Sequence, residues 1–139
     1  MILLDTNVIS ELMRPAPSLA VDEWLRGQPA ASLFISAITE AELRYGLALL
    51  PAGRRQRDLL LQMEAMLAED FSDRILPFDS SAAVAYSQIA AGRRSAGRPI
   101  AQADAQIAAI AASRGATVAT RNITDFQGCG ITVLNPWSP

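Results

Sequence analysis

The chain has 139 residues, the size of one ordinary domain, and half of them are hydrophobic, enough to form a substantial core. Its formal net charge is −2, with 12 basic and 14 acidic residues, which argues against a protein that coats nucleic acid through a uniformly basic surface. Histidine and lysine are absent and Cys129 is the single cysteine, which excludes histidine-based triads, histidine- or cysteine-rich zinc sites, Walker-type lysines and intramolecular disulfides.

Short apolar segments alternate with helical patterns in the first half of the chain. Ile2–Leu4 predicts a first strand, and it is followed by Asp5, Thr6 and a short helix that ends before Pro15. Up to residue 70 the pattern then predicts a helix over 18–28, a strand over 33–35, and helices over 38–50 and 54–70.

The second half continues the alternation. It predicts strands over 74–78, 116–119 and 131–134, and helices over 80–96 and 100–114. Short, wholly apolar strands separated by helices indicate a parallel sheet covered on both faces, so we expect one α/β domain over residues 1–139. Ligands of such sheets bind beyond the carboxyl ends of the strands. The residues predicted at that edge are Asp5, Ser36, Asp79 and residues 120–122.

Neither a membrane segment nor a targeting sequence is evident. No apolar run approaches the roughly 20 residues that a membrane-spanning helix needs. The first residues, Met1 to Asp5, lack the basic start and long apolar stretch of a signal peptide. We therefore expect a cytoplasmic protein that does not contact membranes.

Two acidic residues of the first half stand out, and each also has a structural interpretation. Asp5 follows the first strand and is an N-cap candidate for the next helix. Glu42 lies three residues after Thr39, as in a capping box, but it also falls within an apolar helical stripe. The stripe consists of Ile38, Ala41, Tyr45 and Leu49. A carboxylate that faces a core needs a partner of opposite charge, which favours a functional role for Glu42.

Two further acids lie in the second half. Asp104 falls in helical phase with Ile100 and Ile107 among small alanines. An interaction with the helix dipole contributes only about 0.3–1 kcal/mol, too little to offset burial of an ionised group. Asp125 lies in the predicted loop 120–126, where a turn or capping role is the structural alternative.

Three or four carboxylates at one end of a parallel sheet repel one another unless a cation neutralises them. Carboxylate oxygens suit hard divalent cations such as Mg²⁺ or Mn²⁺. Such a cation keeps positions open for a phosphate oxygen and a nucleophilic water. The acidic residues therefore predict metal-dependent cleavage of phosphodiesters.

Four segments and the last residues of the sequence form a recognisable pattern: 1–10 (MILLDTNVIS), 36–46 (SAITEAELRYG), 100–109 (IAQADAQIAA), 120–126 (TRNITDF) and the ending Asn135-Pro136-Trp137. The four segments resemble PIN-domain proteins of the VapC and FitB type, and the ending is similar to the FitB branch. Gln102 departs from the pattern, because many relatives carry another acid there. The resemblance nevertheless covers nearly the whole chain, in order.

The resemblance implies a Rossmann-like PIN fold with a central parallel sheet, and a Mg²⁺- or Mn²⁺-dependent endoribonuclease that is the toxin of a type II toxin–antitoxin system. Asp5 and Asp104 would bind the metal most directly, and Glu42 and Asp125 would complete the pocket directly or through water. The implied supporting polar residues are Thr6, Asn7, Thr120 and Asn122. The implied partners are a cognate antitoxin, RNA as substrate, DNA only through the antitoxin, and a second copy of the chain in a homodimer or higher assembly.

The mechanism expected from these residues is in-line attack by a water that Asp125 or Glu42 orients, leaving a 5′-phosphate and a 3′-hydroxyl. Arginines at the rim would guide RNA toward an otherwise acidic pocket. The candidates for that role are Arg44, Arg93, Arg94 and Arg121.

Two alternatives are weighed against this hypothesis. A haloacid-dehalogenase-type phosphatase needs a second Asp where this chain has Asn7, and both it and a response-regulator receiver need a lysine, which is absent. The other alternative is a subunit with little or no catalysis in a DNA-binding toxin–antitoxin complex. A cleavage assay with the purified protein separates that alternative from the nuclease.

Overall fold

A computed structural model describes all residues from 1 to 139. Its five strands are β1 (Ile2–Leu4), β2 (Leu33–Ser36), β3 (Ile75–Leu76), β4 (Thr117–Ala119) and β5 (Val133–Leu134). Its six helices are α1 (Thr6–Leu12), α2 (Leu19–Arg26), α3 (Ala37–Ala48), α4 (Arg54–Glu69), α5 (Ser80–Ser95) and α6 (Gln102–Arg114). Short 3₁₀ turns lie at Ala30–Ser32 and Ile123–Phe126. All the predicted strands and helices are confirmed, although β3 and β5 are shorter than expected.

The strands form a single sheet in the order β3-β2-β1-β4-β5, and every pair is parallel. β1 occupies the centre, where Leu3 pairs with Phe34 on one side and with Val118 on the other. Between β3 and β4 the chain crosses from one side of β1 to the other. The direction in which strands are added to the sheet therefore reverses at β1, and the crevice lies at its carboxyl end. That point of an open parallel sheet is where a crevice forms.

Neighbouring residues of β1 serve two separate cores. Leu3 packs with residues of α5 and α6, including Ile89 and Ile107, on one face of the sheet. Leu4 packs on the other face, with Val8 of α1 and Met63 of α4. This follows from the two-residue repeat of a strand, whose successive side chains point to opposite faces. Burial on both faces explains why the strands are almost entirely apolar, with Ser36 of β2 and Thr117 of β4 as the exceptions.

The two cores fix the helices around the crevice. α5 and α6 pack closely against each other, and the alanine-rich face of α6 is buried from Ala105 to Ala111. Small side chains allow that close approach of helix and sheet. α6 ends at Gly115, whose positive φ of 65° is the left-handed conformation that glycine adopts without strain at a helix C-terminus. None of the six helices combines the length and apolar character that a membrane crossing requires.

Candidate active site

Asp5 is the centre of the site because β1 delivers it, almost completely buried, to the point where the strand order reverses. It caps α1, as its Oδ1 accepts the backbone N–H of Thr6 at 2.8 Å. Its Oδ2 accepts the hydroxyl of Thr120 at 2.8 Å and the amide of Asn7 at 3.2 Å. The capping and the functional interpretations of Asp5 are therefore compatible, since one carboxylate does both.

Asn7 and Thr120 hold the two central strands together at this edge. The side-chain amide of Asn7 also donates to the Thr120 hydroxyl oxygen, at 3.2 Å. The side-chain Oδ1 of Asn7 accepts the backbone N–H of Arg121, also at 3.2 Å. Asn122 supports the same hydroxyl through its backbone N–H, at 3.1 Å, not through its side chain. The predicted supporting residues thus form one network that fixes Asp5 between β1 and β4.

Glu42 reaches the site from α3 in a way that the sequence did not predict. Ser36, not Thr39, caps this helix, because its hydroxyl accepts the Thr39 N–H at 3.0 Å. The predicted apolar stripe is also wrong, since Tyr45 and Leu49 are 67% and 66% exposed. The helix buries Thr39 and Leu43 instead.

The exposed face of α3 nevertheless places the Glu42 carboxylate toward α1. Its Oε1 accepts the hydroxyl of Thr6 at 2.7 Å, and that hydroxyl also contacts the Thr39 hydroxyl at 3.1 Å. Thr6 is the residue whose backbone N–H binds Asp5. Thr6 therefore connects the two carboxylates, one through its backbone and the other through its side chain.

Asp104 lies half-buried in the first turn of α6 and lines the same cleft as Asp5. Its pKa is raised from 3.8 to about 6, most by burial and then by the charges of Asp5, Asp125 and Glu42 in that order, while Arg93 acts in the opposite direction. Burial also raises the pKa of Asp5, although the Thr120 and Thr6 hydrogen bonds oppose the shift. Asp104 has no such hydrogen bonds, so of these two carboxylates its charge is the less stabilised within the protein.

Asp125 lies on the exposed 3₁₀ turn that follows β4. Its negative charge acts on both Asp5 and Asp104. The turn is held through the backbone, because the carbonyl of Asp125 accepts the Arg93 guanidinium at 2.9 Å. The negative charges of Glu42 and Asp125 therefore act on both Asp5 and Asp104, although the four residues lie far apart in the sequence.

Three of the four predicted acids share a cleft of about 520 Å³ at the carboxyl edge of the sheet, and Asp125 lies outside its lining. Asp5, Glu42 and Asp104 line it together with Arg121 and Trp137. Trp137 was not among the predicted site residues, and the resemblance of the chain's ending was the one signal that pointed to it. A larger groove of about 1070 Å³ adjoins the cleft, shares Thr6 and Glu42 with it, and runs between α1, α3 and α4.

The donor set of the cleft fits a hard divalent cation. It offers carboxylate oxygens without histidine or thiolate ligands, and the raised pKa of Asp104 reports negative charge that the protein leaves uncompensated. No three Asp, Glu, His or Cys side chains are drawn together tightly enough to enclose an ion. A cation bound by these residues would therefore retain several water ligands, as Mg²⁺ typically does.

Arg93 was predicted as one of four arginines that guide RNA at the rim of the pocket, and this prediction is wrong because the residue is buried. It is 8% exposed, and its guanidinium donates to the backbone carbonyls of Arg98, Asp125 and Gln127 at 2.7–3.0 Å. Because those bonds use its donors inside the protein, Arg93 has a structural role and does not face RNA. Its neighbour Arg94 is exposed.

The other two arginines differ from each other. Arg44 is paired with Glu40 and Glu64, whose carboxylates raise its pKa. Arg121 lines the acidic cleft, and its Cζ lies 5.2 Å from the centre of the Trp137 ring. Of the four candidates, Arg121 is the one beside the acids.

Comparisons with known proteins agree with this geometry. The model of the PIN domain family matches residues 2–127. The chain is 45% identical to Toxin FitB of Neisseria gonorrhoeae over 99% of both chains, and 43% identical to VapC ribonuclease Y4jK of Sinorhizobium fredii over 100% of this chain and 99% of that protein.

A solved structure, described as FitAB bound to an IR36 DNA fragment, contains a chain that superposes with a TM-score of 0.94 at 45% identity, covering 100% of this chain and 97% of that one. The parallel sheet, the four acids at its carboxyl edge and these full-length similarities lead to one assignment. The chain belongs to the PIN-domain family and, within it, to the ribonuclease toxins of the VapC and FitB type.

Proposed function

We propose that this protein is a divalent-metal-dependent endoribonuclease and the toxin of a type II toxin–antitoxin pair. The observation that carries the proposal is the convergence of Asp5, Glu42 and Asp104 in one cleft, within electrostatic reach of Asp125. Relatives of full-length similarity carry the names VapC ribonuclease and Toxin FitB, which supports RNA as the substrate. Action on cellular RNA would place the protein in the cytoplasm.

In this proposal Asp5 and Asp104 hold Mg²⁺ or Mn²⁺, and Glu42 and Asp125 complete the pocket directly or through water. The ion, when bound, would supply positive charge for the scissile phosphate and a more acidic water. Asn7, Thr6 and Thr120 keep Asp5 in place through the hydrogen bonds described above.

The remaining carboxylates differ in their availability for proton transfer. Glu42 already accepts the Thr6 hydroxyl, whereas the Asp125 carboxylate is exposed on its turn. Asp125 is therefore the better general base for the attacking water, and Glu42 serves to orient it. The expected products carry a 5′-phosphate and a 3′-hydroxyl.

The groove beside the cleft suits an antitoxin segment. Apolar residues of α3 and α4, among them Leu43, Leu47 and Leu59, line it together with Arg54 and Asp58. It opens toward Glu42, so a segment bound there would end beside the acids and block RNA. The solved relative contains FitAB with DNA, which supports DNA contact through the antitoxin; a homodimer or higher assembly of this chain belongs to the same proposal.

A second candidate, a subunit of a DNA-binding complex with little turnover, is favoured by that same DNA-bound relative and by the absence of a closed three-residue metal cluster. Cleavage by the isolated chain distinguishes the two candidates. Purified protein is incubated with single-stranded RNA in Mn²⁺ or Mg²⁺, with excess EDTA as control, and the product ends are mapped.

The deciding variant is Asp104→Asn, with Asp79→Asn as the matched control. Asp79 also follows a strand of the sheet and also caps a helix, with its Oδ1 accepting the Ala82 N–H at 3.0 Å, but it does not line the cleft. We expect Asp104→Asn to cleave about 100-fold or more slowly, beyond the usual effect of removing an outer-shell partner. Asp79→Asn should retain the wild-type rate. Full activity of Asp104→Asn, or cleavage that survives EDTA, would refute the nuclease assignment.

A further inference from the structure

The chain ends in a fixed turn that brings an aromatic ring back to the acidic cleft. The backbone N–H of Trp137 donates to the side-chain oxygen of Asn135 at 2.9 Å, and Pro136 between them is buried. Trp137 is partly buried against the core that contains Leu4 and Val8, and it lines the cleft with Asp5 and Asp104. The ring is therefore positioned by the backbone and by packing, with part of its surface facing the cleft.

Arg121 covers this ring and remains unpaired in an acidic environment. Its Cζ lies 5.2 Å from the ring centroid, within the range of a cation–π interaction. Its backbone N–H donates to Asn7, the residue whose amide binds the Asp5 carboxylate. Although four carboxylates line the same cleft, no ion pair involves Arg121, whereas Arg14, Arg26, Arg44 and Arg114 all have acidic partners.

An unpaired guanidinium that lies over an aromatic ring beside carboxylates has a specific use. A strand of RNA that enters this cleft brings phosphates toward negative charge, so it needs an attractive contact at the rim. Flat guanidinium and indole groups stack on any nucleobase, and stacking of this kind is the main way in which proteins hold single-stranded RNA. Because Arg121 already lies over the Trp137 ring, less conformational freedom is lost when a base stacks there.

We propose that Trp137 and Arg121 form a nucleobase-stacking subsite that holds an unpaired RNA base next to the phosphate to be cleaved. The proposal rests on the proposed function, since it gives that cleft a single-stranded RNA ligand. Arg121 takes the base on its open face, and Trp137 supports the guanidinium from the other side. The subsite selects for a base without selecting strongly among the four bases.

The first test observes the ring directly. Trp24 and Trp137 are the two tryptophans, so Trp24→Phe leaves Trp137 as the single indole emitter. Adding Asp104→Asn suppresses cleavage during titration. An unstructured RNA oligonucleotide should quench the emission and bind about 10-fold more tightly than an abasic oligonucleotide of the same length and charge. Equal affinity for the two ligands would mean that phosphate alone is recognised and would overturn the proposal.

The second test separates stacking from charge in the active protein. Arg121→Lys keeps the charge but removes the flat guanidinium, and Trp137→Leu removes the support; each should raise KM about 10-fold and leave kcat within about 3-fold. Trp137→Phe, which retains an aromatic ring, should restore most of the loss. Arg57→Lys, at an exposed position of α4 outside both the cleft and the adjoining groove, is the control and should match the wild type.

Failure of this inference is distinguishable from failure of the proposed function. Wild-type KM in both Arg121→Lys and Trp137→Leu, with cleavage intact, would overturn the subsite alone. An inactive wild type that still binds RNA with quenching and prefers it to the abasic ligand would overturn the nuclease and support the subsite. Circular dichroism of Trp137→Leu checks its fold, and if that variant misfolds, the KM of Arg121→Lys alone decides whether the subsite exists.

Discussion

The two sides of the acidic cleft are built differently. On the side of β1 and β4, donors from Thr6, Asn7 and Thr120 converge on the carboxylate of Asp5. On the side of α6, burial and neighbouring negative charge act on Asp104, and no hydrogen bond offsets them. Hydrogen bonds compensate the buried charge of Asp5 in part on the first side, whereas none compensates that of Asp104 on the second, so charge is left for an external cation. The difference teaches that a cation-binding cleft can be recognised by carboxylates whose charge no hydrogen bond within the protein compensates.

On the α6 side of the cleft, Arg93 of α5 holds the turn that carries Asp125 by binding its backbone carbonyls. The largest predicted effect on the free energy of unfolding tests this contact. Arg93→Met should lower the free energy of unfolding by about 3 kcal/mol, because a buried guanidinium that donates to three carbonyls is lost. Arg94→Met, the adjacent exposed position, should change it by less than about 0.5 kcal/mol. Urea denaturation of both variants measures the difference.

Cys129 provides a local measure of the same change. It is the single cysteine, it is buried, and its Sγ lies 3.6 Å from the Arg93 guanidinium beneath the turn that carries Asp125. Arg93→Met should raise the rate of thiol labelling under native conditions about 10-fold or more, since local opening exposes the sulfur. If labelling is unchanged in Arg93→Met, the turn is held by other contacts and Arg93 does not position it.

The next prediction is that removing Asp5 and removing Asp104 change the free energy of unfolding in opposite directions. With EDTA present at neutral pH, Asp5→Ala should destabilise the protein by about 2 kcal/mol, because α1 loses its cap and the Thr120 and Asn7 donors lose an acceptor. Asp104→Ala should stabilise it by about 1 kcal/mol, because a poorly solvated charge is removed. Denaturant unfolding checks both values, and changes of the same sign would show that the two sides do not differ in this way.

The smallest predicted effect is a pH dependence. The pKa of Asp104 is raised from 3.8 to about 6, so the folded protein binds more protons than the unfolded chain between those values and its stability falls as pH rises through this window. The shift corresponds to about 3 kcal/mol, which exposure to solvent reduces to about 1 kcal/mol. In EDTA, Asp104→Asn should therefore exceed the wild type in stability at pH 7.5 by more than at pH 4. A constant difference between the two proteins would contradict the prediction.

The parts of the fold that follow a short-range rule could be predicted from the sequence. The wholly apolar β1 and its largely apolar neighbours could be recognised because burial on both faces leaves few polar positions. The fixed direction of parallel strands then placed Asp5 at the correct edge. The four acids could be identified because carboxylates at one edge of a sheet repel one another unless a cation binds them. The resemblance of the surrounding segments to PIN-domain proteins, in the same order along the chain, supported the choice.

The errors concern contacts between distant parts of the chain. Arg93 stands in an arginine pair that is typical of a surface, but the turn that buries it lies 32 residues away, at Asp125. The helical phase of α3 was misjudged because the exposed Tyr45 and Leu49 are as hydrophobic as the core. Trp137 was missed as a site residue because its place depends on where β5 and Asn135 return the chain.

The central claim is that the cleft carries uncompensated negative charge that binds a divalent cation, and isothermal titration of the metal-free protein with Mn²⁺ tests it most directly. We predict saturable uptake by the wild type and by Asp79→Asn, and a loss of affinity of about 10-fold or more in Asp104→Asn. No heat of binding in the wild type, or equal affinity in Asp104→Asn, would contradict the claim.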